Sequence, residues 1–331
     1  MLQITSTQAA RRAAALIAAT GLATSLAACS SGAGGSSSDV TIAVVGPLAG
    51  DPYYLEVACG AQTKGKELGY DVQEQQAAQN QSQANQNTIV QNVLGTLPTA
   101  LIYTPADPVA GGLPLKAAGE DVTVINVDAK LDDESLYESF IASNHYEGAR
   151  EVTKNLIELI GGEGKIAALG SLPNLKLTQD RIAGFEDEVA QHPGVEVVSV
   201  SYPEINPEDI QAEAASLLVR YPDLKGFYTT NYLNSTGAAV AIRNAGAVGA
   251  VKMVSWDTGS ANVKLLQEGV LQATVAQQPF RMGELAVEQI AKVLDGENAD
   301  PIVEAPVSIL TSENVDTPEG EALWYKGTCE Q

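Results

Sequence analysis

The residues best placed to do chemistry begin with Asp51-Pro52-Tyr53-Tyr54. They follow an apolar, β-branched run, Val40 to Val45, that is too short for a helix and stops at Gly46-Pro47, which reads as a buried strand. Asp51 can cap a helix whose first position is Pro52, where a missing N–H costs nothing. Tyr53 and Tyr54 then fall on the first turn of that helix, at the carboxyl end of the first strand. Open parallel sheets bind ligands at that end. The chemistry on offer is a flat platform for a ring; packing of both tyrosines under the next loop is the alternative reading. Covalent catalysis has no comparable candidate. There is no Gly-x-Ser-x-Gly elbow, and nothing pairs a nucleophile with its base. Gly161-Gly162-Glu163-Gly164-Lys165 lacks the GK[ST] ending of a phosphate loop and precedes a strand, so it reads as a helix stop plus a turn. The two histidines, His145 and His192, are far apart in sequence, and neither a metal site nor a cofactor is expected.

The elements that must position these residues alternate throughout. Helix 53–68 ends at Gly69, and 70–73 begins a second strand. Segment 75–91 is rich in Gln and Asn, but Ile89, Val90, Val93 and Leu94 give it an apolar face, which predicts a helix over most of it. A strand at 100–103, a helix at 109–118 and a strand at 122–127 follow. Segment 138–142 is an apolar edge segment. Helices at 146–160, 178–190, 207–221, 234–245, 260–268 and 280–294 then alternate with strands at 166–169, 195–201, 226–230, 251–256, 273–276 and 302–307. Regular alternation of this kind predicts an α/β fold of parallel sheets covered by helices on both faces. About eleven strands exceed one such unit, which predicts two lobes.

The chain has 331 residues and a formal net charge of −22. Residues 1–28 carry two arginines and no acid, so the remainder stands at −24. That balance argues against nucleic acid or an anionic membrane face as partner. Arg11-Arg12, an uncharged apolar stretch from Ala13 to Leu26 and small residues after it describe an export signal. Leu26-Ala27-Ala28-Cys29 resembles the bacterial lipobox, which implies cleavage after residue 28 and a lipid anchor on Cys29. Ser30 to Ser38, all Gly, Ser and one Ala, is a flexible tether over 29–38. With Cys29 lipidated, Cys59 and Cys329 remain, and an exported chain should oxidise that pair into a disulfide.

Several strand-end segments, taken in order, resemble the type I periplasmic sugar-binding proteins of ABC importers, the ribose/galactose-binding group. They are Asp51-Pro52-Tyr53-Tyr54, where the family often has Asn-Pro-Phe-Phe; Cys59-Gly60-Ala61-Gln62 with Lys66-Glu67-Leu68-Gly69-Tyr70; Asn126-Val127-Asp128; Ala142-Ser143-Asn144; Arg181-Ile182-Ala183-Gly184-Phe185; Thr230-Asn231; Ser255-Trp256-Asp257; and Ala273-Thr274-Val275-Ala276-Gln277-Gln278-Pro279. The resemblance covers roughly residues 39–310. It implies two doubly wound parallel-sheet lobes joined by three hinge crossings, near 143–145, 276–279 and 302–304. The N-terminal lobe would be 39–143 plus 278–303, the C-terminal lobe 144–277 plus 304–314, and 315–331 a tail beyond the family's core.

The same resemblance implies the ligand set. Asp128 and Asp257 match carboxylates that accept from sugar hydroxyls. Arg181 matches a guanidinium that donates to them, and Asn231 and Gln277 match amides that do both, which suits a polyol. Tyr53 and Tyr54 match an aromatic pair that stacks on a sugar ring, Trp256 is a further wall, and Asp51 and Asn144 complete the set. Read singly, the acids and Asn231 are equally helix caps or turn residues, Arg181 a surface residue and Gln277 a hinge residue. Two acids against one base leave −1 in a dry cleft, which disfavours an anionic ligand and favours a neutral one, with a cationic one as the alternative. Ala129 stands where ribose-type proteins have an arginine, and Tyr232 where an aspartate is usual, which turns the expectation from ribose toward a pyranose, a cyclitol or another small polyol.

The expectation is therefore a monomeric, lipid-anchored receptor on the extracytoplasmic face of the membrane, periplasmic or at the cell surface. It captures a neutral sugar or polyol and delivers it to an ABC permease and its ATPase; it is not an enzyme. A receptor of the same fold that signals to a sensor kinase or chemoreceptor is the alternative. A secreted sugar hydrolase would need two carboxylates flanking a bond, and a sugar-responsive repressor would need a basic headpiece.

Overall fold

The computed structural model describes residues 40–76, 82–119 and 121–329. The expected signal peptide, Cys29, the tether and the last two residues lie outside the described residues. The first sheet grows from β1 (Thr41–Gly46), where Ile42 and Val44 face one core and Ala43 and Val45 the other. Burial on both faces is why the strand reads as a continuous apolar run. α1 (Pro52–Leu68) follows and is stopped by Gly69, whose φ of 78° suits a glycine cap. β2 (Asp71–Gln76), α2 (Gln83–Leu94), β3 (Ala100–Tyr103), α3 (Leu113–Ala118), β4 (Thr123–Val127) and β5 (Ser139–Ser143) complete this run.

The second series is α4 (His145–Leu159), β6 (Gly164–Leu169), α5 (Lys176–Val189), β7 (Val195–Ser201), α6 (Pro207–Arg220), β8 (Leu224–Thr229), α7 (Tyr232–Asn244), β9 (Lys252–Trp256), α8 (Ser260–Gln267) and β10 (Ala273–Gln277). α9 (Pro279–Leu294), β11 (Ile302–Ala305), β12 (Val307–Thr311) and α10 (Pro318–Glu321) close the chain.

The strands form two six-stranded sheets, ordered β11-β5-β4-β3-β1-β2 and β12-β10-β9-β8-β6-β7. Among the described residues every strand pairing is parallel except β12 with β10. Each sheet is the centre of a lobe. In the first, α1 and α9 cover one face and α2 and α3 the other. In the second, α4 and α5 cover one face and α6, α7 and α8 the other. The two strand orders are the same path traced twice.

Among the described residues the chain passes between sheets at three places: after β5, after β10 and at Pro306. The expected single strand 302–307 is two strands in different sheets. Pro306 has no N–H to give a ladder and breaks the run, so β11 stays with the first sheet and β12 joins the second. The third crossing thus falls just after the 302–304 expected for it. The expected edge segment 138–142 is β5, and it is internal because β11 pairs outside it.

α9 follows the second sheet in sequence but is fixed to the first by close approach to α1. A Cβ on Gly60 would lie 1.8 Å from the Phe280 carbonyl oxygen, and one on Gly283 would lie 2.0 Å from that of Val57. Only glycine permits backbones this near. Among the described residues, no helix is long and apolar enough to cross a membrane.

Candidate functional site

Asp128 and Asp257 occupy matching places in the two lobes. Each is the residue after a strand, β4 or β9. Each has a left-handed backbone, with φ of 63° and 78°. Each donates its N–H to the neighbouring strand, Asp128 to the Ile141 carbonyl and Asp257 to that of Val275, both at 2.8 Å. Aspartate tolerates this region better than most residues, but it still costs of order 1–3 kcal/mol, and such positions cluster at functional sites. Both residues line the same cavity, of about 260 Å³, between the carboxyl ends of the two sheets. That volume is at the small end of ligand pockets, which begin near ~300 Å³.

Asp51, Tyr53, Tyr54 and Asp128 form the cavity wall from the first lobe; Arg181, Asn231, Tyr232 and Asp257 form the wall from the second. Gln277, at the end of β10 where the chain crosses back, lies between them. Asp51 is both cap and wall: Oδ1 accepts from the Tyr53 N–H at 2.9 Å, and Oδ2 accepts from the Tyr232 hydroxyl across the cleft at 3.4 Å. The Tyr53 and Tyr54 hydroxyls donate to the two oxygens of Asp128 at 3.1 and 3.3 Å. The rings meet edge to face, 5.1 Å apart at 82°. Gln277 donates to Asp257 at 2.8 Å. Asn231 caps α7 through the Asn234 N–H at 2.9 Å and still lines the cavity.

Arg181 is buried and braced from below. Its guanidinium lies 3.9 Å over the Trp256 ring, and it donates to the Thr230 carbonyl at 2.6 Å and to His145 Nδ1 at 3.3 Å. Because arginine only donates, His145 Nδ1 must accept, which places the imidazole proton on Nε2. Burial first, then Arg181 and Lys176, holds His145 well below the usual histidine pKa, so it is neutral. Arg181 Nε has no hydrogen-bond partner among the described residues.

Two expected site residues stand elsewhere. Trp256 is fully buried and does not line the cavity; its indole N–H donates to the Tyr228 hydroxyl at 2.9 Å. Trp256 is the last residue of β9 and its ring lies in the core under α4 and α5, whereas Asp257 lies just past the strand's end. It supports Arg181 and is no wall. Asn144 caps α4 through the Glu147 N–H, and its amide reaches Glu304 at 3.2 Å, beside an adjoining crevice. The second lobe lines the cavity with Leu172, Leu175, Leu177, Ile205, Tyr232 and Leu233 as well.

The charge balance also differs from the expected −1. Three carboxylates, those of Asp51, Asp128 and Asp257, face one guanidinium. Burial raises all three pKa values above the usual carboxylate range. Arg181 offsets the rise at Asp128 and Asp257, aided by the tyrosine hydroxyls and by Gln277 respectively. Among the described residues no such cation acts on Asp51, and the other two acids raise it further, to about 6. An anionic ligand is thereby disfavoured more strongly than two acids would require.

Sequence reasoning missed Tyr325, which lines the cavity from the C-terminal tail and accepts the Gln277 N–H on its hydroxyl at 3.1 Å. The available signal was Cys329: it is joined to Cys59 on α1, with Cα atoms 5.0 Å apart, and that bond brings the preceding residues to the cleft.

The sequence profile of the periplasmic binding protein domain family matches residues 42–298. A D-ribose/D-allose-binding protein of Pseudomonas aeruginosa is 28% identical over 240 residues, covering 69% of this chain and 75% of its own. A ribose import binding protein of Bacillus subtilis is 24% identical over 278 residues, covering 84% and 89%. Among solved structures, an ABC transporter solute-binding protein of Agrobacterium vitis, bound with α-D-tagatopyranose, superposes with a TM-score of 0.82 at 25% identity, covering 86% of this chain and 99% of that one. A carbohydrate transporter solute-binding protein of Agrobacterium radiobacter, in complex with D-arabinose, gives 0.78 at 26%, covering 86% and 98%.

Proposed function

The chain belongs to the periplasmic binding protein domain family, and from that premise we propose that it captures a neutral sugar or polyol in the cleft and delivers it to the permease and ATPase of an ABC importer. It is an extracytoplasmic binding protein, not an enzyme. The observation that carries the ligand class is the convergence of Asp128, Asp257, Arg181, Asn231 and Gln277 beside two tyrosines in one small cavity. Hydroxyls both donate and accept, and this set offers charged acceptors, a charged donor and amides that do both. A hydrogen bond to a charged partner contributes about 1.5–3 kcal/mol, more than a neutral one, so the acids and the guanidinium dominate orientation.

Contacts come from both lobes, so ligand favours the closed arrangement by its greater affinity for it. Closure then presents one shape to the permease, and nothing is chemically transformed. The lipobox on Cys29 holds the receptor at the membrane; Cys29→Ser should release it into the soluble extracytoplasmic fraction.

The test of the ligand class is native mass spectrometry of the purified protein, followed by calorimetry with D-ribose, D-allose, D-arabinose, D-tagatose, myo-inositol and a set of amino acids. An intact sugar or polyol carried through purification, and bound again on titration, supports the reading. Tight binding of an amino acid with no sugar or polyol bound overturns it, and a hydrolysed ligand would mark an enzyme.

A further inference from the structure

We propose that residues 323–329 are a fourth connection between the lobes, closed covalently by Cys59–Cys329, and that this strap supplies Tyr325 as a positioning residue of the cleft. Its first part belongs to the second lobe. Leu323 and Trp324 pack against the core under α6, α7 and α8. The Leu323 carbonyl accepts from the Thr258 hydroxyl, and the Tyr325 N–H donates to the Thr258 carbonyl at 3.1 Å. One residue later the partners are all in the first lobe. The Lys326 N–H donates to Glu56 at 3.0 Å, Gly327 lies against Pro52 at φ 65°, and Cys329 is bonded to Cys59.

Tyr325 is the residue at the change of lobe. Its backbone bridges to Gly259 in the second lobe, while its buried ring sits in the core of the first. There it meets Tyr53 edge to face, 5.6 Å away at 72°. Its hydroxyl accepts the N–H of Gln277, in the second crossing. One side chain therefore touches a cleft tyrosine, the hinge backbone and the cavity. Lobe rotation turns a few backbone dihedrals at the crossings. A strap lying beside the second crossing must turn with it, and the disulfide prevents the strap from detaching. The physical consequence is a narrower set of open states. A narrower set leaves less freedom to lose on closure, which raises affinity by preorganisation.

The ligand arm of the test rests on the sugar reading; the scattering arm does not. Small-angle X-ray scattering of the ligand-free protein compares the wild type with Cys59→Ser/Cys329→Ser. A larger radius of gyration in the double variant is expected, and superimposable curves would overturn the strap. Calorimetry with the strongest-binding member of the sugar panel should show affinity several-fold weaker in the double variant. It should be weaker again, with both cysteines intact, in Tyr325→Phe, which removes the acceptor for the Gln277 N–H. An unchanged constant in Tyr325→Phe would overturn the positioning role. Should the double variant fail to fold, hydrogen exchange of the wild type decides the strap: slow exchange at the Tyr325 and Lys326 amides, which donate to Thr258 and Glu56, supports it, and free exchange at both overturns it. If no sugar binds the wild type, the sugar reading fails and the scattering still decides the strap.

Discussion

Asp51→Asn isolates the one cleft carboxylate that, among the described residues, no cation offsets. Burial, with repulsion from Asp257 and Asp128, raises its pKa from 3.8 to about 6. An acid whose folded pKa lies above its unfolded value favours the folded state at low pH and loses that stability as pH rises through the folded pKa. The window here is 3.8 to about 6. At ~1.4 kcal/mol per tenfold, the ionised Asp51 costs the folded protein about 3 kcal/mol at pH 7.5, falling to about 0.5 kcal/mol at pH 4. Asparagine caps a helix as well as aspartate, so the bond to the Tyr53 N–H survives. The variant should therefore be about 3 kcal/mol more stable than wild type at pH 7.5, with its melting temperature raised by roughly 5 °C, and the gain should shrink to about 0.5 kcal/mol near pH 4. Scanning calorimetry of both ligand-free proteins from pH 4 to 8 reads this directly. Parallel curves across that range, or a less stable variant at pH 7.5, would refute the desolvated, uncompensated state assigned to Asp51.

Trp256→Ala should lose about 3–5 kcal/mol of stability by urea unfolding, because a fully buried ring is deleted. It should also weaken sugar binding in calorimetry, since Arg181 loses its floor; Trp256→Phe should recover part of both. Removing the Cys59–Cys329 bridge, which spans 270 residues of sequence, should cost about 2–5 kcal/mol in the same assay. Non-reducing peptide mapping of the wild type should recover the two cysteine peptides linked.

Much of the fold was legible because buried parallel strands leave continuous apolar runs, as in β1 and β3. Legibility failed where one proline or one cap decides the outcome. Pro306 divides an apolar run between two sheets, and no hydrophobic pattern distinguishes that from one strand. The Gln- and Asn-rich helix expected from residue 75 is α2, starting at Gln83, because Ser82 caps it through the Asn85 N–H. At the site, Asp128 and Asp257 were visible as polar residues ending apolar strands. Their left-handed backbones, which aim them, were not. Trp256 lies in the core because β9 ends with it and the chain turns toward the cleft only at Asp257, a boundary that no hydrophobic pattern marks. Tyr325 lay outside any periodic pattern, and its place depends on a contact between segments some 270 residues apart.

The central claim is that acids and one guanidinium from facing lobes grip a hydroxyl-rich ligand together. Calorimetric titration of wild type and Asp257→Ala with the ligand found by native mass spectrometry tests it most directly. The account predicts a loss of about 2–5 kcal/mol in the variant, at least some 30-fold in Kd. An unchanged binding constant in Asp257→Ala would contradict it.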